Sequence, residues 1–214
     1  MSRSLKLYDL GPSPNNIKVR CALAYKKLPY ERIAVDPANR EAVVKVSGQP
    51  LTPVLLDGET VVFDSYAILR YLDANLPGTP KLYAADRATL KSIEQWELFA
   101  RTDAGPGISK AFGQLREATP DPEVLKSGND MLNRAASRIE ETLATKGEWL
   151  VGGTGPSAAD FTVGTMLFLG AVTDAAVKRM PAWGFFQKHM KIDRAPKTLA
   201  WVARVMEYDR LVQK

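Results

Sequence analysis

The chain has 214 residues, of which 45% are hydrophobic and 25% are charged. This is the composition of a soluble globular protein with enough length to bury a substantial core. Because Cys21 is the single cysteine of the sequence, it excludes an internal disulfide. The sequence also has a single histidine, His189, so there is no Cys/His ligand cluster for zinc and we expect no metal. The net charge of +5 is dispersed among acidic residues, which favours a solvated surface over a nucleic-acid-binding patch.

The sequence also lacks the signals of a membrane or secreted protein. No apolar run approaches the roughly 18 to 20 residues needed to span a bilayer. Residues 1–6 lead directly into a strand pattern without an apolar signal segment. We therefore expect a cytoplasmic protein with no membrane partner.

The first 80 residues alternate between strand and helix patterns. The Gly11-Pro12 break separates a first strand from a helix that has Ser13 as its N-cap and Pro14 at its first position. Asp57-Gly58 is a two-residue hairpin turn signal. The predicted order is β-α-β-α-β-β-α, with elements at residues 5–10, 14–28, 30–35, 39–46, 52–56, 59–63 and 64–76.

From about residue 86 onward only helical patterns follow. Apolar spacing predicts one long helix over residues 90–115, which Gly105-Pro106-Gly107 should kink. Ser157-Ala158-Ala159-Asp160 is a capping box with Asp in place of Glu, and it should open a further helix over residues 161–172. The sequence therefore predicts an α/β domain at residues 1–80, a linker at 81–85 and an all-α domain at 86–214.

Three short stretches of the first domain contain residues that could bind a ligand or take part in catalysis. The helix start at Ser13 exposes free N–H groups and a partial positive charge, which suit an anion such as a thiolate. The Thr52-Pro53 bond is either an ordinary trans bond at a strand start or a cis bond that leaves neighbouring backbone groups free for a ligand. Asp64-Ser65 is either a simple helix cap or a site for an α-amino acid head group.

Four motifs together resemble those of the cytosolic glutathione transferases. They are Ser13-Pro14-Asn15, Thr52-Pro53-Val54, the run over residues 64–72 and the run over residues 157–161, in that order and spacing. The resemblance implies a thioredoxin-like glutathione-binding domain followed by an all-α domain that supplies the pocket for the acceptor. It also implies glutathione as co-substrate with no other cofactor, a small hydrophobic electrophile or a disulfide as partner, and a homodimer formed through helices three and four.

The same resemblance assigns the site residues. Asp64 and Ser65 would hold the γ-glutamyl head of glutathione, and Thr52, before a cis Pro53, would pair with its cysteinyl backbone, with Gln49 in the same site. Ser13 matches the catalytic serine of serine-type members, whereas Ser13-Pro14-Asn15 also resembles the Thr-Pro-Asn of the bacterial nu class. We expect Ser13 to be the main thiolate donor, with Asn15 assisting. The acceptor pocket is expected to be lined by Leu10, Arg101, Gly105, Ile108 and Phe112.

Three functions stay open at this point. The first is transfer of glutathione to a hydrophobic electrophile, the second is nu-type reduction of a disulfide by two glutathione molecules, and the third is a non-catalytic binding module. Because no cysteine stands at the helix start, a mixed disulfide with the protein is disfavoured, and Cys21 is expected to be a packed core residue. The absence of the Ser-Ser-Cys of zeta-type members argues against maleylacetoacetate isomerisation.

Overall fold

A computed structural model describes residues 4–213 of the chain, and the side chains of residues 4–211. Residues 1–3 and 214 lie outside the described part. They include the first half of the segment 1–6 and the last residue of the predicted all-α domain. The first domain has the predicted order of elements. Their bounds are β1 Leu5–Asp9, α1 Pro14–Tyr25, β2 Tyr30–Ala34, α2 Glu41–Ser47, β3 Val54–Asp57, β4 Thr60–Phe63 and α3 Ser65–Asn75.

The four strands form one mixed sheet in the order β2-β1-β3-β4. Strand β1 is parallel to β2 and antiparallel to β3, and β3 is antiparallel to β4. Leu7 lies opposite Leu55 in this register, and both side chains are fully buried. The predicted α/β class of the first domain is therefore confirmed.

Residues 76–86 form no helix or strand, and the described chain after them contains helices joined by loops. None of the described helices has the length and apolar character needed to cross a membrane. Helices α8 and α11 are too short to give a periodic pattern, and the sequence analysis did not predict them. The bounds are α4 Arg87–Phe99, α5 Gly105–Gln114, α6 Pro122–Lys146, α7 Ala158–Leu167, α8 Asp174–Arg179, α9 Gly184–His189, α10 Pro196–Met206 and α11 Arg210–Gln213.

The helix predicted over residues 90–115 is interrupted, as expected. The interruption lies one turn before Gly105-Pro106-Gly107, the residues that signal it. The segment Ala100–Ala104 is a π-helical turn between α4 and α5. A Cβ atom at Gly105 would lie 2.8 Å from the carbonyl oxygen of Ala100, so the turn leaves no room for a side chain there. Pro106 follows in the first turn of α5, and the N–H of Gly105 before it donates to the carbonyl oxygen of Ala100.

Helices α5 and α6 touch through their backbones. A Cβ atom on Gly107 would lie 2.6 Å from the carbonyl oxygen of Gly128, and one on Gly128 would lie 2.8 Å from that of Gly107. Real Cβ atoms do not approach other atoms so closely, and both positions therefore require glycine.

The predicted capping box is present and reaches beyond its own helix. Asp160 accepts hydrogen bonds from the backbone N–H of Ser157 at 2.9 Å and from its hydroxyl at 2.8 Å. The same carboxylate accepts from the backbone N–H of Leu150 and from Nε1 of Trp201 in α10. These bonds fix the start of α7, which packs against α1 and so joins the two domains.

Candidate functional site

The loop between β1 and α1 is held by backbone hydrogen bonds rather than by the predicted side-chain cap. Ser13 is the N-cap residue of α1, but its side chain makes no capping hydrogen bond. Its carbonyl oxygen accepts instead from the N–H of Asn16 at 3.0 Å and of Ile17 at 2.9 Å, and its own N–H donates to Leu10. The hydroxyl of Ser13 is therefore not committed to the helix, contrary to the sequence-based expectation.

Asn16, which the sequence analysis did not single out, joins this loop to the Thr52-Pro53 segment. The side chain is fully buried. Its Oδ1 accepts from the backbone N–H of Leu10 at 3.0 Å, and its Nδ2 donates to Oγ1 of Thr52 at 3.1 Å. The only signal in the sequence is a second asparagine directly after Asn15.

A cavity of about 320 Å³ lies between the start of α1, the segment before β3 and the start of α3. Six of the seven residues predicted to bind or activate glutathione line it, and Ser13 does not. The peptide bond between Thr52 and Pro53 is cis. The lining residues are Asn15, Gln49, Leu51, Thr52, Pro53, Phe63, Asp64 and Ser65.

Asp64 caps α3 from a backbone conformation that side chains rarely adopt. Its φ is 68°, in the left-handed region, and its Oδ1 accepts from the N–H groups of Tyr66 at 2.9 Å and Ala67 at 3.1 Å. Such conformations cost free energy and are concentrated at binding and catalytic sites. Next to it, the hydroxyl of Ser65 donates to Oδ1 of Asn15 at 3.3 Å, so that α1 and α3 meet at the cavity.

The side chain of Gln49 shapes the loop at the edge of the cavity. Its Oε1 accepts from the N–H of Leu51 at 2.6 Å, and its Nε2 donates to the carbonyl of the same residue at 3.0 Å and to the hydroxyl of Ser47 at 2.9 Å. These bonds present Leu51, which is 73% exposed, at the rim. A direct bond from Gln49 to glutathione stays a prediction.

A buried lysine lies close to the start of α3. Lys18 is 1% exposed, its Nζ has no hydrogen-bond partner among the described residues, and this atom is 3.5 Å from the ring centroid of Tyr66. Burial lowers the pKa of Lys18 from 10.5 to about 7, an effect that Arg101 and Arg70 increase and the carboxylates of Glu97 and Asp64 oppose. The ring of Tyr66 supplies part of the stabilisation that a hydrogen bond would otherwise give the ammonium group.

The residues predicted for the acceptor pocket do not share one environment. Arg101 is exposed and stacks on Tyr66, with its Cζ 3.9 Å from the ring centroid, so it lies near the start of α3. Ile108 is 6% exposed, and the ring of Phe112 packs against that of Phe186 at 4.7 Å between centroids. Leu10 and Gly105 are half-buried. A pocket lined by all five stays a prediction.

Two residues of the helical domain contact the loop before α1. A Cβ atom on Gly11 would lie 2.6 Å from the terminal methyl of Met180, so the chain passes directly against this side chain. Nε1 of Trp183 donates to the carbonyl oxygen of Pro12 at 3.4 Å. Neither contact was predicted, because each joins positions about 170 residues apart.

The sequence of the first domain is similar to that of known proteins. Residues 7–80 match the family model of the glutathione S-transferase N-terminal domain. The first domain is therefore a glutathione S-transferase N-terminal domain. A zeta-class glutathione S-transferase of Euphorbia esula is 39% identical over 84 residues, which cover 37% of this chain and 37% of that protein. The match therefore spans little more than a third of that relative's length.

Two further transferase-like proteins extend the likeness to both domains. Protein LigF of Sphingobium sp. strain SYK-6 is 26% identical over 94% of this chain and 89% of its own length. The crystal structure of this β-etherase has a TM-score of 0.76, at 23% identity over 100% of this chain and 99% of that one. Ure2p in complex with glutathione has a TM-score of 0.75, at 19% identity over 100% and 95% of the two chains. These structural likenesses concern the fold.

Replacing Asn16 by Ala should destabilise the protein, because the N–H of Leu10 would stay buried without its acceptor. The loss should lower the free energy of unfolding by about 2 to 3 kcal/mol. The matched control is Asn15→Ala at the exposed neighbouring position, which loses only the 3.3 Å bond from Ser65 and should lower stability by about 0.5 to 1 kcal/mol. Urea unfolding of both variants measures the difference, and equal stabilities would show that the Asn16 bridge is not formed.

Lys18 should make stability depend on pH. Between pH 7 and pH 10.5 the unfolded chain binds a proton at this residue that the folded chain does not, so its contribution to folding improves as the pH rises. The stability of the wild type relative to Lys18→Met should therefore increase from pH 7 to pH 9 in denaturant titrations. Lys91→Met, at an exposed position of α4, is the control. A pH-independent difference for Lys18→Met would contradict the assignment.

Proposed function

We propose that this protein is a glutathione transferase, which binds glutathione in the 320 Å³ cavity and stabilises its thiolate for attack on a hydrophobic electrophile. The observation that carries the proposal is the convergence of Asn15, Thr52 and the Asp64-Ser65 helix start on one cavity. These groups come from three separate segments of the chain, and a purely structural role requires no such meeting.

The start of α3 suits the γ-glutamyl head, which carries a carboxylate and an ammonium group. A helix N-terminus favours a carboxylate through its free N–H groups and its dipole. Ser65 adds a hydroxyl beside it, and the exposed carboxylate of Asp64 is available to an ammonium group through the oxygen that does not cap the helix. Thr52 lines the same cavity and would pair with the cysteinyl backbone.

Asn15 is the better placed of the two proposed thiolate donors, which reverses the expected order. It lines the cavity and Ser13 does not. Because Oδ1 of Asn15 accepts from Ser65, its Nδ2 group is the part of the amide that can donate to sulfur. Hydrogen bonds to charged groups contribute roughly 1.5 to 3 kcal/mol each. One such bond lowers a thiol pKa by about one to two units, which suffices near neutral pH.

A second candidate reaction is cleavage of a β-ether. It is favoured by the alignment to the β-etherase LigF, which covers nearly the whole of both chains. The glutathione thiolate would form a carbon–sulfur bond while the carbon–oxygen bond of the ether breaks and the oxygen leaves as an alkoxide or phenoxide. The thiolate site proposed for conjugation would serve this reaction equally.

Calorimetric titration with glutathione, followed by turnover assays, tests the proposal. We expect binding, activity with a chloronitrobenzene or a β-aryl ether, and no turnover of a small organic disulfide. Asn15→Ala should raise the pKa of the bound thiol, read from thiolate ultraviolet absorbance, by about one unit and lower kcat about tenfold at neutral pH. Ser13→Ala should have the smaller effect.

Each other outcome has a definite meaning. Absence of glutathione binding would contradict the function, and binding without any turnover would identify a non-catalytic module. Turnover of the disulfide alone would establish the nu-type reductase. A larger effect of Ser13→Ala than of Asn15→Ala would restore the serine as the main donor.

We also propose that the protein is a homodimer. Leu51 and Phe63, at the rim of the cavity, and Leu98 on α4 are 73%, 47% and 59% exposed. Large exposed apolar side chains mark association surfaces. Phe63 is in β4, which packs against α3, and Leu98 is in α4; these two helices form the dimer interface in the family that the sequence resembles.

Leu98→Glu should therefore convert the dimer to a monomer, because a carboxylate would have to be buried without a partner. Light scattering after size exclusion measures the mass. Leu199→Glu on α10, where the side chain is 36% exposed, is the matched control and should leave the mass unchanged. A monomeric wild type would refute the proposed assembly.

A further inference from the structure

The last described part of the chain makes a buried ion pair with the first helix. Asp209, between α10 and α11, is fully buried, and Arg20 in α1 is 1% exposed. Oδ1 of Asp209 accepts from Nε of Arg20 at 2.9 Å, and Oδ2 accepts from Nη2 at 2.6 Å. Two parallel bonds of this kind fix the plane and direction of the guanidinium group.

The same guanidinium group reaches the loop that leads to Ser13. Its Nη2 donates to the carbonyl oxygen of Gly11 at 3.1 Å, and its Nη1 donates to Oδ1 of Asp9 at 2.6 Å. The other oxygen of Asp9 accepts from Nε of Arg32. Because the guanidinium fork is rigid, the position of Asp209 decides where the N–H that holds Gly11 points.

Nearly every polar backbone atom from residue 10 to residue 13 is therefore tied to a fixed partner. Asn16 holds the N–H of Leu10, and Nε1 of Trp183 holds the carbonyl of Pro12. The remaining anchor is the bond from the Arg20 fork to the Gly11 carbonyl, and it depends on Asp209. A loop held at each peptide leaves the following helix start little freedom to move relative to a ligand in the cavity.

We propose that Asp209 is a positioning residue for the thiol site. Through Arg20 it holds the Gly11 carbonyl, and the held loop sets the position of Ser13 and Asn15 relative to the glutathione sulfur. This inference rests on the proposed function. Docking of the chain's end and ionisation of the bound thiol are then linked, because each favours the same placement of the loop.

The chain contains a matched ion pair that lacks this connection. Lys26, also in α1, bonds Asp73 at 2.6 Å, and both side chains are nearly buried. Asp73 accepts further from the backbone N–H groups of Leu82 and Tyr83, in the segment between the domains. None of its contacts reaches the loop before α1. Asp73→Asn therefore reproduces the loss of a buried charge without loosening the thiol site.

The decisive measurement is the pKa of the thiol of bound glutathione in the wild type, Asp209→Asn and Asp73→Asn. Asp209→Asn should raise this pKa by about one unit and lower kcat about tenfold at neutral pH. Its KM for glutathione should stay within about twofold, because neither Asp64 nor Ser65 is hydrogen-bonded to Arg20 or Asp209. Asp73→Asn should lower thermal stability and leave the thiol pKa unchanged.

Hydrogen exchange of the ligand-free protein tests, without glutathione, whether Asp209 holds the loop before α1. The amides of Leu10 and Ser13 should exchange about tenfold faster in Asp209→Asn than in the wild type or in Asp73→Asn. If the wild type fails to bind glutathione, the proposed function falls and this inference with it. If the wild type ionises the bound thiol, and Asp209→Asn changes neither the thiol pKa nor the exchange, only the positioning role is refuted.

A second variant covers the case in which Asp209→Asn does not fold. Arg20→Lys retains the positive charge between the two carboxylates but loses the fork that bonds Asp209 and Gly11 together. It should give the same rise in thiol pKa and the same faster exchange of Leu10 and Ser13. Wild-type values for both quantities in a folded Arg20→Lys protein would overturn the proposal.

Discussion

The buried guanidinium group of Arg20 is the interaction on which the arrangement of this molecule depends. It bonds the end of β1, the loop that follows, and Asp209 near the end of the chain, so that the sheet, α1 and the last helices share one fixed point. Removing a charged group from water costs several kcal/mol, and here two carboxylates and a carbonyl offset that cost. The net gain in stability is small, but the bonds fix the relative positions of the three segments closely.

Helix α1 contains the opposite case two positions earlier. Lys18 is as deeply buried as Arg20, yet its ammonium group has an aromatic ring where Arg20 has two carboxylates. This contrast explains why burial lowers the pKa of Lys18 to about 7, whereas Arg20 keeps its charge with the help of Asp209 and Asp9. One helix thus carries a fixed cation and a titratable one, both next to the proposed binding site.

Local patterns predicted most of the fold, and with the family resemblance they placed six of the glutathione-site candidates around one cavity. Turn signals, capping residues and apolar spacing are short-range, and they located all four strands and α3. They did not reveal Asn16, Lys18 or Asp209. The spacing of Ile17 and Cys21 indicated one apolar face for α1, but the helix is covered by α3 on one side and α7 on another. Polar residues buried by a distant segment leave no periodic signal.

The contact between Gly107 and Gly128 has a consequence for how the family could diversify around this site. Two helices that touch backbone to backbone have no side chains between them to be exchanged, so their separation is fixed by the main chain itself. The π-helical turn that carries Arg101 is continuous with the first of these helices. Residues on that turn can therefore be substituted while the frame that carries them stays in place. If Arg101 lines the proposed acceptor pocket, its replacement would change the surface of that pocket without moving the helices behind it.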